Sequence, residues 1–315
     1  MYRETVAGVD ISDGGIAVAC VAPRRGGGLG VSHAGYAEIP GDAKDADVAA
    51  IVRAVWKQAA IPTYTVASCL NTGSLLLQYF HYQNLSEDEM RSALRLEAEE
   101  SLQVPAKDLL FDWHCVRAGG AASDRAPARE GVLVAAPRAA VDQHRSILAS
   151  AGLYPVVLDV GALAVCNLWL QLDGARLRDE VVFAVNLTRQ SAHLVILASA
   201  GRVYPRTIVC GSGDWSTSID YLVDNITGQE DYAETKLGLP PVRRILMTGS
   251  IPGGSAFIEK VRSRVAHPVE GWTPMAGEQV SVARRASRLK TDADLARRMT
   301  VSLGLALRGF DRDGV

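Results

Sequence analysis

Asp10 closes an apolar run, Val6–Val9, and the turn Ser12-Asp13-Gly14-Gly15 leads into a second apolar run, Ile16–Val21. A carboxylate at a strand end suits Mg2+ or the orientation of a water. Glycines in the following turn let backbone N–H groups approach a phosphate closely. Asp10, Ser12, Gly14 and Gly15 are therefore a candidate phosphate loop. The same residues also describe an ordinary hairpin, and the motif alone does not separate the two.

Other chemistry has less to stand on. The histidines (His33, His81, His114, His144, His193, His267) show no metal-ligand spacing with one another, Cys or Asp, and read as structural or surface residues. There is no Gly-x-x-x-x-Gly-Lys-Ser/Thr, and GSGDW (residues 211–215) imitates only part of a nucleophile elbow. The five cysteines (Cys20, Cys69, Cys115, Cys166, Cys210) are odd in number and far apart, and read as reduced core thiols of a cytosolic protein. A net charge of −2 gives no electrostatic reason for nucleic-acid binding. The basic run Ala283–Lys290 reads as a solvated segment, with contact to anionic lipid as the alternative. The N-terminus lacks a signal-peptide pattern, and no stretch reaches the roughly 20 apolar residues of a membrane span.

The elements that must position the candidate loop follow from patterning. At 315 residues, 48% hydrophobic and 22% charged, the chain suits two domains or one bilobed unit. Residues 5–21 read as a hairpin, Arg24–Gly30 as a loop and Val31–Ile39 as a third strand. Asp45–Ala59 has helical spacing through Val48, Ile51, Val52 and Val55. Strands follow at Tyr64–Asn71 and Ser74–Tyr82. Leu85–Pro105 is a marked helix: Ser86 and Glu89 form a capping box, Leu85 and Met90 a hydrophobic staple, and Pro105 stops it. LLFDWHCV and GVLVAAP read as paired strands around an Ala/Gly/Pro-rich loop. Arg138–Ala151 is a helix, Tyr154–Val160 a strand and Gly161–Leu172 a helix. From Glu180 the opening pattern returns as three strands. A short helix at Thr217–Asn225, a strand RRILMTGS, a helix at Ala256–Val265 and a C-terminal helix at Asp292–Arg308 complete the chain.

Two βββ-α halves, each opening with a hairpin, resemble the actin-like ATPase superfamily, an α/β fold of duplicated ribonuclease H-like lobes. In that superfamily the two hairpin turns face each other across a nucleotide, and an acidic residue ends each first strand. Further stretches resemble the PilM family of type IV pilus assembly, whose relatives include MshI and the cytoplasmic domain of the type II secretion protein GspL. These are LSEDEMRSALRLEAEESLQVP, then FDWHCV, then VLVAAPRAAVDQHRSILASAGLYPVVLDVGALAVCN, and finally SLGLALRGF. The block Leu85–Asn167 is the specific part.

The resemblance implies a first lobe at 1–175 with a small α+β subdomain inserted at about 62–140. A shortened second lobe at 176–315 follows, whose C-terminal helix at about 292–308 is free to return to the first. It also implies a cytoplasmic scaffold peripheral to the inner membrane, binding the cytosolic N-terminal peptide of a PilN-like membrane protein. The assembly motor ATPase and a second copy of the chain stay open as further partners. Leu94, Glu97, Leu102 and Val104 on the insertion helix and Asp159 at a strand end are the expected walls of the peptide groove.

The second half departs from the ATPase pattern. Asn186 stands where the second acidic residue belongs and Thr188 where a glycine belongs. The adenosine turn reads TGSIPGGSAF, which keeps Gly249 but has Ser250 next and its Pro-Gly step early, at Pro252-Gly253. The segment before RRILMTGS is short where the family carries a wall of the adenine pocket. Asn186, Thr188, Gly249, Ser250 and Gly253 are thus expected to be vestigial nucleotide residues, and no cofactor is expected. The alternative is an active Mg-ATP-binding enzyme, either an ATPase or a kinase of the sugar-kinase type. It needs a second carboxylate, for which Asp159 and Asp214 are the candidates. A filament-forming protein is a third reading, against which the shortened lobe counts.

Overall fold

The computed structural model describes residues 6–24, 28–71, 73–83, 85–116, 129–174, 180–198, 202–210, 214–277 and 279–310. Residues 117–128 of the loop between LLFDWHCV and GVLVAAP, residues 25–27 of the glycine-rich loop, and the GSG of GSGDW lie outside them.

β1 (Ala7–Ser12), β2 (Gly15–Pro23) and β3 (Leu29–Ala37) form an antiparallel meander. Helix α1 (Asp45–Gln58) buries Val48, Val52 and Val55 of the expected stripe against Val9, Ile16 and Val18, with Trp56 buried beside them and Ile51 only half-buried. β4 (Thr65–Leu70) then pairs in parallel with β1.

β5 (Leu76–Tyr82), helix α2 (Glu87–Leu102), β6 (Leu109–Val116) and β7 (Arg129–Pro137) make a separate unit whose sheet order is β5-β7-β6. The Ser86–Glu89 capping box forms, with the Glu89 amide donating to Ser86 Oγ at 3.3 Å and the Ser86 amide to Glu89 Oε2 at 2.8 Å. Such a cap stabilises a helix by about 1 kcal/mol. Met90, Leu94 and Ala98 of α2 bury against Phe80, Leu133 and Ala135. The inserted unit begins only after Leu70, because β4 is a central strand of the main sheet. Its boundary therefore differs from about 62, where two successive strands divided by a glycine turn read alike.

Helix α3 (Arg138–Ser150) leads to β8 (Tyr154–Val160), which lies parallel to β4, and α4 (Gly161–Asp173) follows. His144 on α3 is buried, with Nε2 2.9 Å from Ser68 Oγ, and Ser68 donates to Val9 O at 2.8 Å. These bonds pin α3 to the strands beneath.

The second half repeats the plan. β9 (Val181–Leu187), β10 (Ser191–Leu197) and β11 (Val203–Val209) form a meander, then come α5 (Ile219–Thr235), β12 (Val242–Gly249), α6 (Ser255–Arg262) and β13 (Val269–Gly271). The orders β3-β2-β1-β4-β8 and β11-β10-β9-β12-β13 are the same. α5 runs past Asn225 through Gly228, because Ile226 and Ala233 prolong the buried stripe of Ile219, Leu222 and Val223.

β14 (Val280–Val282) then pairs with β3 and so joins the first sheet. α7 (Arg288–Thr291), α8 (Ala293–Arg298) and α9 (Thr300–Leu307) end the chain. The expected single C-terminal helix is thus broken at Met299, and Asp292 caps α8 by accepting from the Leu295 amide at 2.9 Å. α9 packs on β1 and β2 and against α4, and α4 packs on β9, β10 and β11. The two helices therefore fill the space between the sheets.

Cys20, Cys69 and Cys166 are buried and Cys210 half-buried, but Cys115 is exposed on β6, so it is not a core thiol. No helix among the described residues is long and apolar enough to cross a membrane.

Candidate functional site

Three turns meet where the sheets face each other: β1–β2, β9–β10 and the end of β12. Tyr36 Oη holds the first by donating to Gly14 O at 3.1 Å, and Ser12 Oγ donates to Gly15 O at 3.2 Å. The second is closed by the Thr188 amide on Ser191 O at 2.8 Å. The third reaches the second through the Ser250 amide, which donates to Leu187 O at 2.7 Å. Gly249 has φ +83°, and a Cβ there would lie 2.2 Å from Leu187 O, so only glycine fits.

Asp10, Ser12, Gly15, Asn186, Thr188, Gly249 and Ser250 all border one cavity of about 10 Å3. That is room for about a single water. Gly14 sits beside it, where an added Cβ would lie 3.5 Å from Arg189 Cβ. Gly253 faces a wider adjoining cleft of about 760 Å3 between the β12 turn and α8. Arg298 borders both spaces; its guanidinium donates to Tyr36 Oη at 3.1 Å and Glu38 Oε1 at 3.2 Å.

Asp10 is buried, and burial raises its pKa from 3.8 to about 7. Asn71 Nδ2 donates to its Oδ1 at 2.7 Å, and the Cys69 thiol lies 3.7 Å away, which partly offset the rise. Burial with no cationic side chain beside it among the described residues thus favours the acid form of Asp10. Asn186, on the opposite strand, brings no charge at all.

Asp13 was not singled out by the sequence, and it makes the direct contact between the turns. Its Oδ1 accepts from the Arg189 amide at 2.9 Å, and its Oδ2 from the Gln190 amide at 2.6 Å and from Thr188 Oγ1 at 3.2 Å. The sequence signal was an acid inside a glycine turn; its partners lie in the other half of the chain.

Neither candidate for a second carboxylate borders the cavity. Asp159 is two strands from Asp10, paired with Arg308 at 3.2 Å. Asp214 is exposed, and accepts from the Ser216 and Thr217 amides at 2.9 and 3.2 Å.

The expected groove residues do not form one wall. Leu94 is wholly buried in the inserted unit, and Leu102 and Val104 pack on the same core. Glu97 accepts from Tyr82 Oη at 2.8 Å and from Gln78 Nε2 at 3.4 Å. Asp159 belongs to the main sheet. An exposed apolar stripe lies instead on β8, the outer strand of that sheet: Tyr154 is 71% and Val156 58% exposed. Tyr64, 62% exposed, adjoins it through the Tyr154 amide, which donates to Tyr64 O at 2.8 Å.

Two sheets of the same strand order, with facing hairpin turns and a unit inserted after β4, define an actin-like fold. The family model of the type IV pilus assembly protein PilM matches residues 8–241. The chain belongs to that family. Among solved structures it is similar to a PilM–PilN type IV pilus biogenesis complex, at 19% identity over 98% of this chain and 100% of that one, TM-score 0.81. It is also similar to the cytoplasmic domain of EpsL, an inner-membrane component of the type II secretion system of Vibrio cholerae. There the identity is 10% over 89% of this chain and 85% of that one, TM-score 0.48. A Bacteroides thetaiotaomicron protein with an actin-like ATPase fold matches at 7% identity over 93% and 96%, TM-score 0.49.

Proposed function

We propose that this chain is a non-hydrolytic scaffold at the cytoplasmic face of a type IV pilus assembly platform. It binds the cytosolic N-terminal segment of a PilN-like inner-membrane protein, and that contact holds it at the membrane. The observation that carries the reading is the edge of β8. An extended peptide laid on an outer strand gains backbone hydrogen bonds, and alternate side chains give specificity. Tyr154 and Val156 supply apolar contact at the start of the strand, and Leu158, beyond the register shift at Val156, packs near Leu70, Ala136 and Val141 at the seam with the inserted unit. A peptide there touches both. The solved neighbour that pairs PilM with PilN supports the choice of partner class.

Polarisation titration of a labelled partner peptide tests this. Val156→Asp places an unpaired charge on the stripe and is expected to weaken binding at least tenfold, about 1.4 kcal/mol. Unchanged affinity would remove β8 from the interface. The neutral Asn186 and the small cavity support the non-hydrolytic part of the reading. With Mg-ATP, phosphate release is expected at the buffer rate; release above it that Asp10→Ala abolishes would restore the enzyme reading.

A further inference from the structure

Two consecutive amides and a hydroxyl converging on one carboxylate make the β9–β10 turn an oxyanion nest, filled from within the chain. Both oxygens of Asp13 are used, one by the Arg189 amide and the other by the Gln190 amide and Thr188 Oγ1. Successive backbone N–H groups aimed at a common point are the usual cradle for phosphate oxygens, and charge-assisted bonds of 2.6 to 2.9 Å are strong ones. The rest of the surroundings also suits an anion: Arg298 and Ser250 border the cavity beneath the turns. That cavity, at about 10 Å3, has no space for a phosphoryl group, while the adjoining cleft on the same Gly249 turn is open at about 760 Å3. The obstruction is confined to the place where the two hairpins touch.

We propose that Asp13 is a built-in occupant of an oxyanion site, which latches the two lobes together and excludes phosphate from the β9–β10 turn. The inference rests on the reading of this cleft as non-hydrolytic and gives its cause: the chain's own carboxylate holds the donors that a polyphosphate would need. Removing that carboxylate frees the two amides, leaves the Thr188 hydroxyl on its remaining partner Ser191, and relieves the repulsion an incoming anion meets. The ligand class is a polyphosphate oxyanion, free or carried by a nucleotide.

The test is calorimetric titration of the full chain, in phosphate-free buffer, with magnesium pyrophosphate. Wild type is compared with Asp13→Ser, which clears the nest, and Asp13→Asn, which keeps the size and removes the charge. Hydrogen exchange of the segment Thr188–Ser191 is read in the same samples. Asp13→Ser is expected to bind at least tenfold more tightly than wild type, and Asp13→Asn to fall between them. Exchange at Arg189 and Gln190 is expected to quicken in Asp13→Ser and slow again with pyrophosphate. If Asp13→Ser fails to fold, the same gain is required of Asp13→Asn. A parallel run with Mg-ADP separates the sources: tighter binding than pyrophosphate assigns the site to a nucleotide and equal binding to the free oxyanion, and either supports the occupant role. Equal affinity of wild type and variants, no binding by any of them, or unchanged exchange at the two amides overturns it. Wild-type turnover of Mg-ATP overturns the scaffold reading itself; an inert wild type with no gain in the variants overturns the latch alone.

Discussion

Asp10→Asn is expected to stabilise the protein by about 4 kcal/mol at pH 8 and to change it little at pH 4. Burial raises the folded-state pKa of Asp10 from 3.8 to about 7. Below pH 4 the group is protonated in both states and contributes no difference. Between about 4 and 7 the folded chain holds a proton that the unfolded chain has released, so this group lowers stability as pH rises. The loss is about 1.4 kcal/mol per unit over about three units, and it is complete above pH 7. His144 and His193 work in the other sense. Burial lowers each from 6.5 to about 4, so between those values the unfolded chain holds the extra protons and stability rises with pH. Over that window the unfolded wild type binds two histidine protons more and one carboxyl proton fewer, a net of one; in Asp10→Asn the net is two. Stability of the variant should therefore climb about twice as steeply between pH 4.5 and 6.5. Urea unfolding of both proteins across pH 4.5–8 reads this directly. Parallel curves would show that Asp10 is not charged at the cost of folding.

The same three groups show which parts of the molecule local sequence can express. The capping box of Ser86 and Glu89, the two hairpins and the repeat from Glu180 are legible because neighbouring residues decide them. The gathering of Asp10, Ser12, Gly15, Asn186, Thr188, Gly249 and Ser250 around one cavity follows from that repeat. Burial of Asp10 beneath Asn71, by contrast, depends on a residue at the end of β4. The role of Asp13 depends on a turn in the other half of the chain. Three-residue strands such as β13 and β14 carry no periodicity, and only long-range pairing defines them. Leu94 shows a different limit: an apolar stripe announces that a face is covered, but not by what. Here the cover is the inserted sheet, and the exposed apolar side chains of Tyr154 and Val156 lie elsewhere, on the outer strand β8.

α9 packs between β1 and α4 in the space between the sheets, and Gly304→Val is expected to cost about 3 kcal/mol. A Cβ on Gly304 would stand 1.9 Å from Ala164 O and 2.6 Å from Ala164 C, both backbone atoms of α4. On the facing side, a Cβ on Gly8 of β1 would stand 1.8 Å from Ser302 O. Two glycines thus let a helix buried from Thr300 through Ala306 lie flush between a strand and a second helix. Valine needs α4 and α9 to part by more than 1 Å to reach ordinary contact, about 3.5 Å. Rigid backbone cannot yield as a side chain does, which places the cost at the upper end of the 1–3 kcal/mol typical of overpacking. Separation of α4 from α9 also loosens Val165, Trp169, Val301 and Leu305, whose side chains form one core between the sheets. Gly228→Ala is the matched control. It lies in α5 with nothing within 4 Å of the added methyl, and is expected to stabilise by about 0.5–1 kcal/mol through helix propensity. Urea midpoints of the two variants should therefore move in opposite directions, with faster hydrogen exchange in α4 and α9 only for Gly304→Val. A Gly304→Val midpoint equal to wild type would mean that the helices have slack to part, and that the lobes do not depend on this close approach.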